Sequence, residues 1–313
     1  MRAVAVTEFG GPEALHVVEL PDPEPGPGEV RIRVHAATVN PTDTGLRAGL
    51  RARRGGELPP PPYVPGMDAA GVLDAVGDGV DTELRLGDHV MAVVLPRGTR
   101  GGYAELVCVP ADSVVAVPAG VSDAAAATLP MNGLTARLAL DLLDLEPGQV
   151  LGVTGAAGAV GGYAVELAKV EGLRVVADAA PADEALVRSL GADEVVGRGD
   201  DVAARLRAVV PTGVDGLVDA ALLHERIVPA VRDGGRIASV RPFAGATARG
   251  IEPVLVLVSE YATARDRLDG LRRLVEEGRL TLRVAATYPA AAAAEAHRRL
   301  EAGGTRGRLV LEW

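Results

Sequence analysis

A single cysteine, Cys108, among 313 residues leaves no partner for an internal disulfide, so the fold has to hold by packing alone. In the alternating run Y-A-E-L-V-C-V-P it reads as a small core hydrophobe, not a reactive thiol. Aromatics are also scarce, at 3% with two phenylalanines and one tryptophan. The core must therefore be built from Ala, Val and Leu within a 48% hydrophobic composition. Positive charge is in deficit: 32 Lys and Arg against 42 Asp and Glu give a net charge of −10. That argues against a nucleic-acid-binding surface. No apolar run reaches about 18 residues, and the opening M-R-A-V-A-V-T-E-F-G lacks the apolar core of a signal peptide. The expectation is a cytoplasmic protein with neither nucleic acid nor membrane as partner.

The length favours two domains, and two textures divide the chain. Up to about Pro118, short apolar runs such as V-R-I-R-V-H-A-A-T-V and H-V-M-A-V-V are broken by turn-rich stretches such as P-D-P-E-P-G-P-G-E, the pattern of a β-rich domain. From Val121 to about Val258, strand-like runs (L-G-V-T, R-V-V-A, E-V-V-G, G-L-V-D-A, R-I-A-S-V) alternate with helical ones. D-E-A-L-V-R-S-L stops at Gly191 and D-D-V-A-A-R-L-R-A-V-V at Pro211. Such alternation predicts an α/β domain with a doubly wound parallel sheet. A strand over Val254–Val258 follows, flat, apolar and without a charged gatekeeper. As a sheet edge it invites pairing with a second copy, hence an expected homodimer; a covered strand is the alternative. The chain closes with helices over about Ala262–Glu277 and A-A-E-A-H-R-R-L, then the strand R-L-V-L-E-W.

The most informative segment is V-L-G-V-T-G-A-A-G-A-V-G-G-Y-A-V-E-L-A-K, Val150 to Lys169. Val150, Leu151 and Val153 read as a buried strand, and Val160, Ala164, Leu167 and Ala168 fall on one helical face. Between them Gly155, Ala156, Ala157, Gly158 and Ala159 carry almost no side chain. Backbone N–H groups at the helix start can then approach a pyrophosphate, aided by the positive end of the helix dipole. Gly161 lets helix and strand lie close. The strand before and the helix after meet the context that a dinucleotide fingerprint requires, with Ala156 in place of one glycine.

Seven motifs in order then carry a family resemblance: V-N-P-T-D-T-G-L-R-A-G (Val39 to Gly49), P-Y-V-P-G-M-D-A-A-G-V-L-D-A-V-G (Pro62 to Gly77), L-G-D-H-V, G-G-Y-A-E, L-P-M-N-G-L-T-A, the nucleotide turn, and terminal G-R-L-V-L. Over essentially its whole length the chain resembles the zinc-independent, zeta-crystallin-like quinone oxidoreductases of the medium-chain dehydrogenase/reductase superfamily. The resemblance implies a GroES-like β-rich catalytic domain, residues 1–120 with 261–313, facing a Rossmann dinucleotide-binding domain, residues 121–260, across a cleft. It further implies hydride transfer from NADPH to a quinone or other activated carbonyl or enone. Alternatives are an enoyl-thioester or 2-alkenal reductase, and a non-catalytic NADPH-binding protein of the crystallin kind.

Zinc relatives carry a cysteine where this chain has Asn40, and Gly-His-Glu where it has Gly66, Met67 and Asp68. Loss of the sulfur and the imidazole argues against catalytic zinc. His16, His35, His89, His224 and His297 show no ligand spacing either, so no metal is expected. In place of a metal, the Asn40 amide is expected to donate to the acceptor's oxygen as negative charge builds there. Asp43 and Arg47 either position Asn40 and cofactor groups or form a loop ion pair. Tyr63 is the nearest phenol to donate a proton, against a loop-packing role.

By the same resemblance Thr135, with Asn132 one turn earlier, holds the nicotinamide. Val240 and Phe243 lie in the turn after the fifth strand of the parallel sheet, on its ligand edge. Asp178, at the end of R-V-V-A-D, favours NAD(H) by binding a ribose 2′-hydroxyl. The family alignment instead puts the discriminating position at Ala179, where Ala179 and Ala180 leave room for a 2′-phosphate and Arg198 supplies charge. The expectation is NADP(H), with NAD(H) not excluded.

Overall fold

The computed structural model describes every residue except Arg54, Gly56 and Glu57, and of Arg51 the backbone only. The chain divides into two compact units. The first comprises Met1–Met131, Ala262–Glu276 and Leu282–Trp313, and the second Asn132–Tyr261 and Glu277–Thr281.

The first unit is mainly β. Strands β1 (Arg2–Val6) and β2 (Leu15–Glu19) form an antiparallel pair. They precede β3 (Glu29–Thr38), helices α1 (Pro41–Arg47) and α2 (Leu50–Arg53), β4 (Asp68–Val76), β5 (His89–Val93), β6 (Leu106–Pro110), β7 (Val114–Ala116) and the short α3 (Asp123–Ala126). In β3 Val30, Ile32 and Val34 are buried while Arg31 and Arg33 point outward, the period-two alternation of a half-solvated sheet. Those inward residues pack with Val4, Leu73, Val90, Tyr103 and Leu309, a core assembled largely from Val, Leu and Ala. Cys108 belongs to β6, where burial pushes its thiol up to about 11 and leaves it inert at neutral pH.

The second unit opens within α4 (Pro130–Leu143). It runs through β8 (Val150–Thr154), α5 (Ala159–Val170), β9 (Arg174–Ala179), α6 (Glu184–Ser189), β10 (Glu194–Gly197), α7 (Val202–Val209), β11 (Val214–Asp219), β12 (Val231–Ser239) and β13 (Glu252–Leu255). Among the described residues these strands form one parallel sheet in the order β10-β9-β8-β11-β12-β13. Reversal of strand order beside β8 creates the switch point at which such sheets bind ligands. From Leu151 to Thr154 β8 is buried on both faces, which explains its unbroken apolar sequence.

The edge strand differs from the sequence expectation. It spans Glu252–Leu255, whereas Val258 starts a 3₁₀ turn. Register with β12 sets the start, pairing Arg236 with Glu252 and Ser239 with Leu255. Glu252 and Pro253 therefore lie inside the strand and partly blunt the edge that the sequence reading took to be ungated.

The chain then returns to the first unit with α8 (Arg265–Glu276), β14 (Val284–Pro289), α9 (Ala293–Glu301) and β15 (Arg308–Glu312). Strand β15 pairs parallel with β14 and antiparallel with β3, placing Val310 opposite Thr38.

Candidate functional site

In the second unit the small-residue turn has the geometry of an anion cradle. Gly155 leaves β8 at φ +68°, a conformation that a side chain disfavours, and a Cβ there would lie 3.2 Å from the Ala220 carbonyl carbon. Gly161 packs α5 onto the turn so closely that a Cβ would stand 2.3 Å from the Gly155 oxygen. Ala157, Gly158, Ala159 and Val160 are half-buried, with Gly158 the N-cap of the 12-residue α5. The first N–H groups of this helix have no intrahelical carbonyl to bond, and the dipole adds partial positive charge. The arrangement suits a pyrophosphate.

Asp178 has another task than the one expected of it. Its buried carboxylate accepts the Gly155 N–H at 2.7 Å and also that of Ala156. Burial raises its pKa, with those two N–H groups and the Arg198 charge pulling the other way. Asp178 thus braces the turn. Ala179 is buried and Ala180 half-buried beside it, and Arg198 is exposed just after β10 with its N–H on the Ala179 carbonyl.

At the end of β11 the buried Asp219 accepts from the Thr154 hydroxyl at 2.7 Å and from the Leu223 and His224 N–H groups. Phe243 packs edge-on against His224 with centroids 5.6 Å apart, while Val240 is half-buried just past β12. Thr135 and Asn132 are both buried on α4. Among the described residues, three buried polar atoms of this unit, Asn132 Nδ2, Arg137 Nε and Ser239 Oγ, have no protein partner, although the other nitrogens of Arg137 pair with Asp141 and Glu171. Buried donors are rarely left unmatched, and Asn132 Nδ2 and Ser239 Oγ, unlike Arg137, make no other side-chain pairing, which makes them candidates to meet a ligand's polar groups. Asn132 was expected here from the family resemblance; Ser239, one residue before Val240, opens the turn expected on the ligand edge of the sheet but was not singled out as a site residue.

In the first unit three of the four predicted catalytic residues meet in one buried network. Asn40 caps α1, and its N–H is held by Asp43 Oδ2 at 2.8 Å, while Asp43 Oδ1 accepts the Gly66 N–H at 2.9 Å. Asn40 is fully buried. Its Nδ2 donates to Asp68 Oδ2 at 3.0 Å and to the Thr38 carbonyl at 3.3 Å, and its Oδ1 accepts from Arg308 Nη2 at 2.6 Å. This corrects the sequence expectation: the amide is spent on neighbouring residues and is not presented to an acceptor. Arg47 engages Glu301 at 2.6 Å and His297, so its charge is paired inside the unit, away from any cofactor role. Tyr63 stands apart from the network, stacked on Phe9 at 5.2 Å, which fits the loop-packing role better than that of proton donor.

Sequence reasoning missed Asp68, Tyr103, His297 and Arg308 as members. Arg47 only donates, so His297 Nδ1 accepts from it, and the neutral ring carries its proton on Nε2 toward the Tyr103 oxygen at 3.1 Å. The Tyr103 hydroxyl in turn faces Asp43 Oδ2 at 3.4 Å. Burial, then the Asp43 charge, holds the Tyr103 pKa well above its ordinary value, so it remains a phenol.

Burial also pushes the Asp43 carboxyl up to about 6 against the pull of its two N–H donors, and pushes His297 down to about 3, reinforced by the Arg47 charge. The two shifts act oppositely on stability. His297, depressed from 6.5, contributes stability that is present above pH 6.5 and lost as pH falls toward 3. Asp43, raised from 3.8, contributes stability that is present below pH 3.8 and lost as pH rises to about 6. The stability difference between wild type and His297→Gln should therefore shrink by about 2–3 kcal/mol between pH 7 and pH 4 in urea unfolding. A difference that does not change with pH would show that His297 is not the group held neutral.

Residues 26–119 match the alcohol dehydrogenase GroES-like domain and residues 190–311 the zinc-binding dehydrogenase family. The chloroplast envelope quinone oxidoreductase homolog of Arabidopsis thaliana is 30% identical over 100% of this chain and 98% of that protein. The match to mouse quinone oxidoreductase, 36% identical over 200 residues, takes in 62% of this chain, which spans only 57% of that protein's length. Among solved structures, an NAD-dependent alcohol dehydrogenase superposes with TM-score 0.87 at 33% identity, and a mycobacterial protein complexed with NADPH with TM-score 0.86 at 28%. Both cover 100% of each chain.

The zinc implied by the second family's description does not suit the residues present. Arg308 Nη2 lies 2.5 Å from Thr38 Oγ1, 2.6 Å from Asn40 Oδ1 and 3.4 Å from Asp68 Oδ2. A guanidinium cation thus already occupies the oxygens around Asn40, and neither a thiolate nor an imidazole stands among them. With both family domains matched and a relative aligned from end to end, the chain belongs to the quinone oxidoreductase family of the medium-chain dehydrogenase/reductase superfamily.

Proposed function

We propose that this chain is an NADPH-dependent, zinc-independent oxidoreductase that reduces a quinone or another activated carbonyl or enone. The observation that carries the reading is the anion cradle from Gly155 to Val160 at the switch point of the parallel sheet. The N–H groups at the start of α5 hold the pyrophosphate, and the orphaned Asn132 Nδ2 and Ser239 Oγ meet polar groups farther along the coenzyme. A reduced nicotinamide, when bound, supplies a hydride.

The small Ala179 and Ala180 leave room for a 2′-phosphate, and the exposed Arg198 guanidinium provides charge for it. The mycobacterial relative solved with NADPH supports this choice, and the NAD-dependent alcohol dehydrogenase keeps NADH as the competitor to test. In the first unit the Arg308 cation takes over the charge balance that a metal would give Asp68. A quinone suits a site with so few free proton donors, because its reduced oxygens take protons from water. Exposed Leu255, at the end of the edge strand β13, and Leu257, just beyond it, support a homodimer.

Arg198→Ala should raise the Michaelis constant for NADPH at least about tenfold while leaving that for NADH nearly unchanged. Equal changes for both would remove Arg198 from the coenzyme site. Stopped-flow oxidation of NADPH against quinones, alkenals and enoyl thioesters assigns the acceptor class. Tight coenzyme binding with no oxidation by any of them would instead identify a non-catalytic binder.

A further inference from the structure

The first unit holds a second cluster that the proposed reaction does not use. His35, on β3, lies where the pairing with β4 shifts register between Val34 and Ala36, an irregularity that re-aims side chains. His89 opens β5, the strand on the other side of β4, opposite Val72. Asp123 begins α3, which packs against β3, β4 and β5. Three elements distant in sequence thus bring their side chains to one point.

There the two imidazoles converge on one carboxylate. His35 Nδ1 lies 2.7 Å from Asp123 Oδ2, and His89 Nδ1 lies 2.9 Å from Oδ1 and 3.1 Å from Oδ2. The rings meet edge to face with centroids 5.9 Å apart. One ligand atom from each of the three residues falls within 4.8 Å of the others. The carboxylate is largely covered, at 12% exposure, whereas the imidazoles are 43% and 58% exposed. The carboxylate is therefore held in place while the two rings face water.

We infer that His35, His89 and Asp123 form a binding site for a divalent metal ion of the zinc class, open to solvent on one side. The chemistry is that of two borderline nitrogen donors with one oxygen, a set that suits Zn²⁺ and its Co²⁺ surrogate rather than Mg²⁺ or Ca²⁺. Zinc ligands at about 2.0–2.1 Å in a tetrahedron stand about 3.3 Å apart, so closure needs movements on the order of 1 Å, which exposed rings supply. Water completes the coordination. Both imidazoles already direct Nδ1 at the carboxylate; as each ring moves its proton from Nδ1 to Nε2, a cation placed between the three groups replaces the two N–H···O bonds with three coordinate bonds. The bound ion ties α3 to β3 and β5. The site uses none of the residues of the coenzyme cradle, so its test does not depend on the reading above.

The test uses the full chain stripped with chelator, titrated with Co²⁺ as a visible chromophore and then with Zn²⁺ as competitor. One equivalent should bind and give the d–d absorption of a nitrogen- and oxygen-ligated ion. His35→Gln and His89→Gln, both at exposed positions, should each weaken binding at least about tenfold. His16→Gln, exposed on β2 and outside the cluster, should leave it unchanged. Zn²⁺ should raise the thermal midpoint of the wild type and not that of His89→Gln. Absence of one-equivalent binding, or equal affinities in the wild type and in both variants of the cluster, would overturn the assignment.

Discussion

Replacing Arg308 with Met is expected to cost about 3–5 kcal/mol of folding stability, the range for removing one partner of a buried ion pair. Arg308 and Asp68 expose only 6% and 1% of their side chains. With the guanidinium gone, the Asp68 carboxylate keeps its hydrogen bonds from Thr38, Asn40 and the Met131 N–H but has no cation beside it in this cluster, and Asn40 Oδ1 loses its donor. Cavity formation is the lesser part, since Met fills most of the volume of the Arg stem. The double variant Asp68→Asn/Arg308→Met should recover most of the loss, because an uncharged pair no longer demands compensation. Urea unfolding of the two variants gives both numbers. A single-variant loss below about 1 kcal/mol would mean that water already reaches Asp68 and that the cluster is not the sealed network its burial implies.

The second large effect is expected at Gly161. A Cβ there would stand 2.3 Å from the Gly155 oxygen, 2.8 Å from its carbonyl carbon and 2.9 Å from the Ala156 Cα, all backbone atoms that cannot rotate aside. Gly161→Val must therefore push α5 away from the turn after β8 by on the order of 1 Å, at an overpacking cost of about 1–3 kcal/mol. Because the anion site consists of backbone N–H groups in fixed directions, the displacement should weaken NADPH binding about a hundredfold in fluorescence titration. Folded Gly161→Val protein with unchanged affinity would show that the coenzyme does not sit on this helix start.

The parts of this molecule legible in the sequence are those whose physics is local. The turn from Gly155 to Gly158 needs small residues in an unbroken stretch, so strand, turn and helix announce one another. The alternation of apolar and helical runs likewise disclosed the parallel sheet. Strand β14 was not legible: V-A-A-T-Y-P has no inward-facing apolar series, precedes an Ala-rich helix, and is defined by its parallel pairing with β15. Asn40, Asp43 and Arg47 were visible together because they share one segment. Their partners were hidden, because Asp68, Tyr103, His297 and Arg308 arrive from separate elements. The inward aim of Arg308 follows from the register of β15 on β3 and from no pattern in G-R-L-V-L. The same reason concealed Asp178, whose place at the end of β9 suggests a ribose ligand until the Gly155 N–H is seen on its carboxylate. It concealed His35 and His89 as well, which meet only because β4 brings β3 and β5 to either side of it.

The most direct test of the account is calorimetric titration of the wild-type chain with NADPH and with NADH, followed in parallel by coenzyme fluorescence. The account predicts saturable binding of one NADPH per chain, tighter than NADH and about a hundredfold weaker in Gly161→Val. Absence of both heat and fluorescence change with either coenzyme would contradict it.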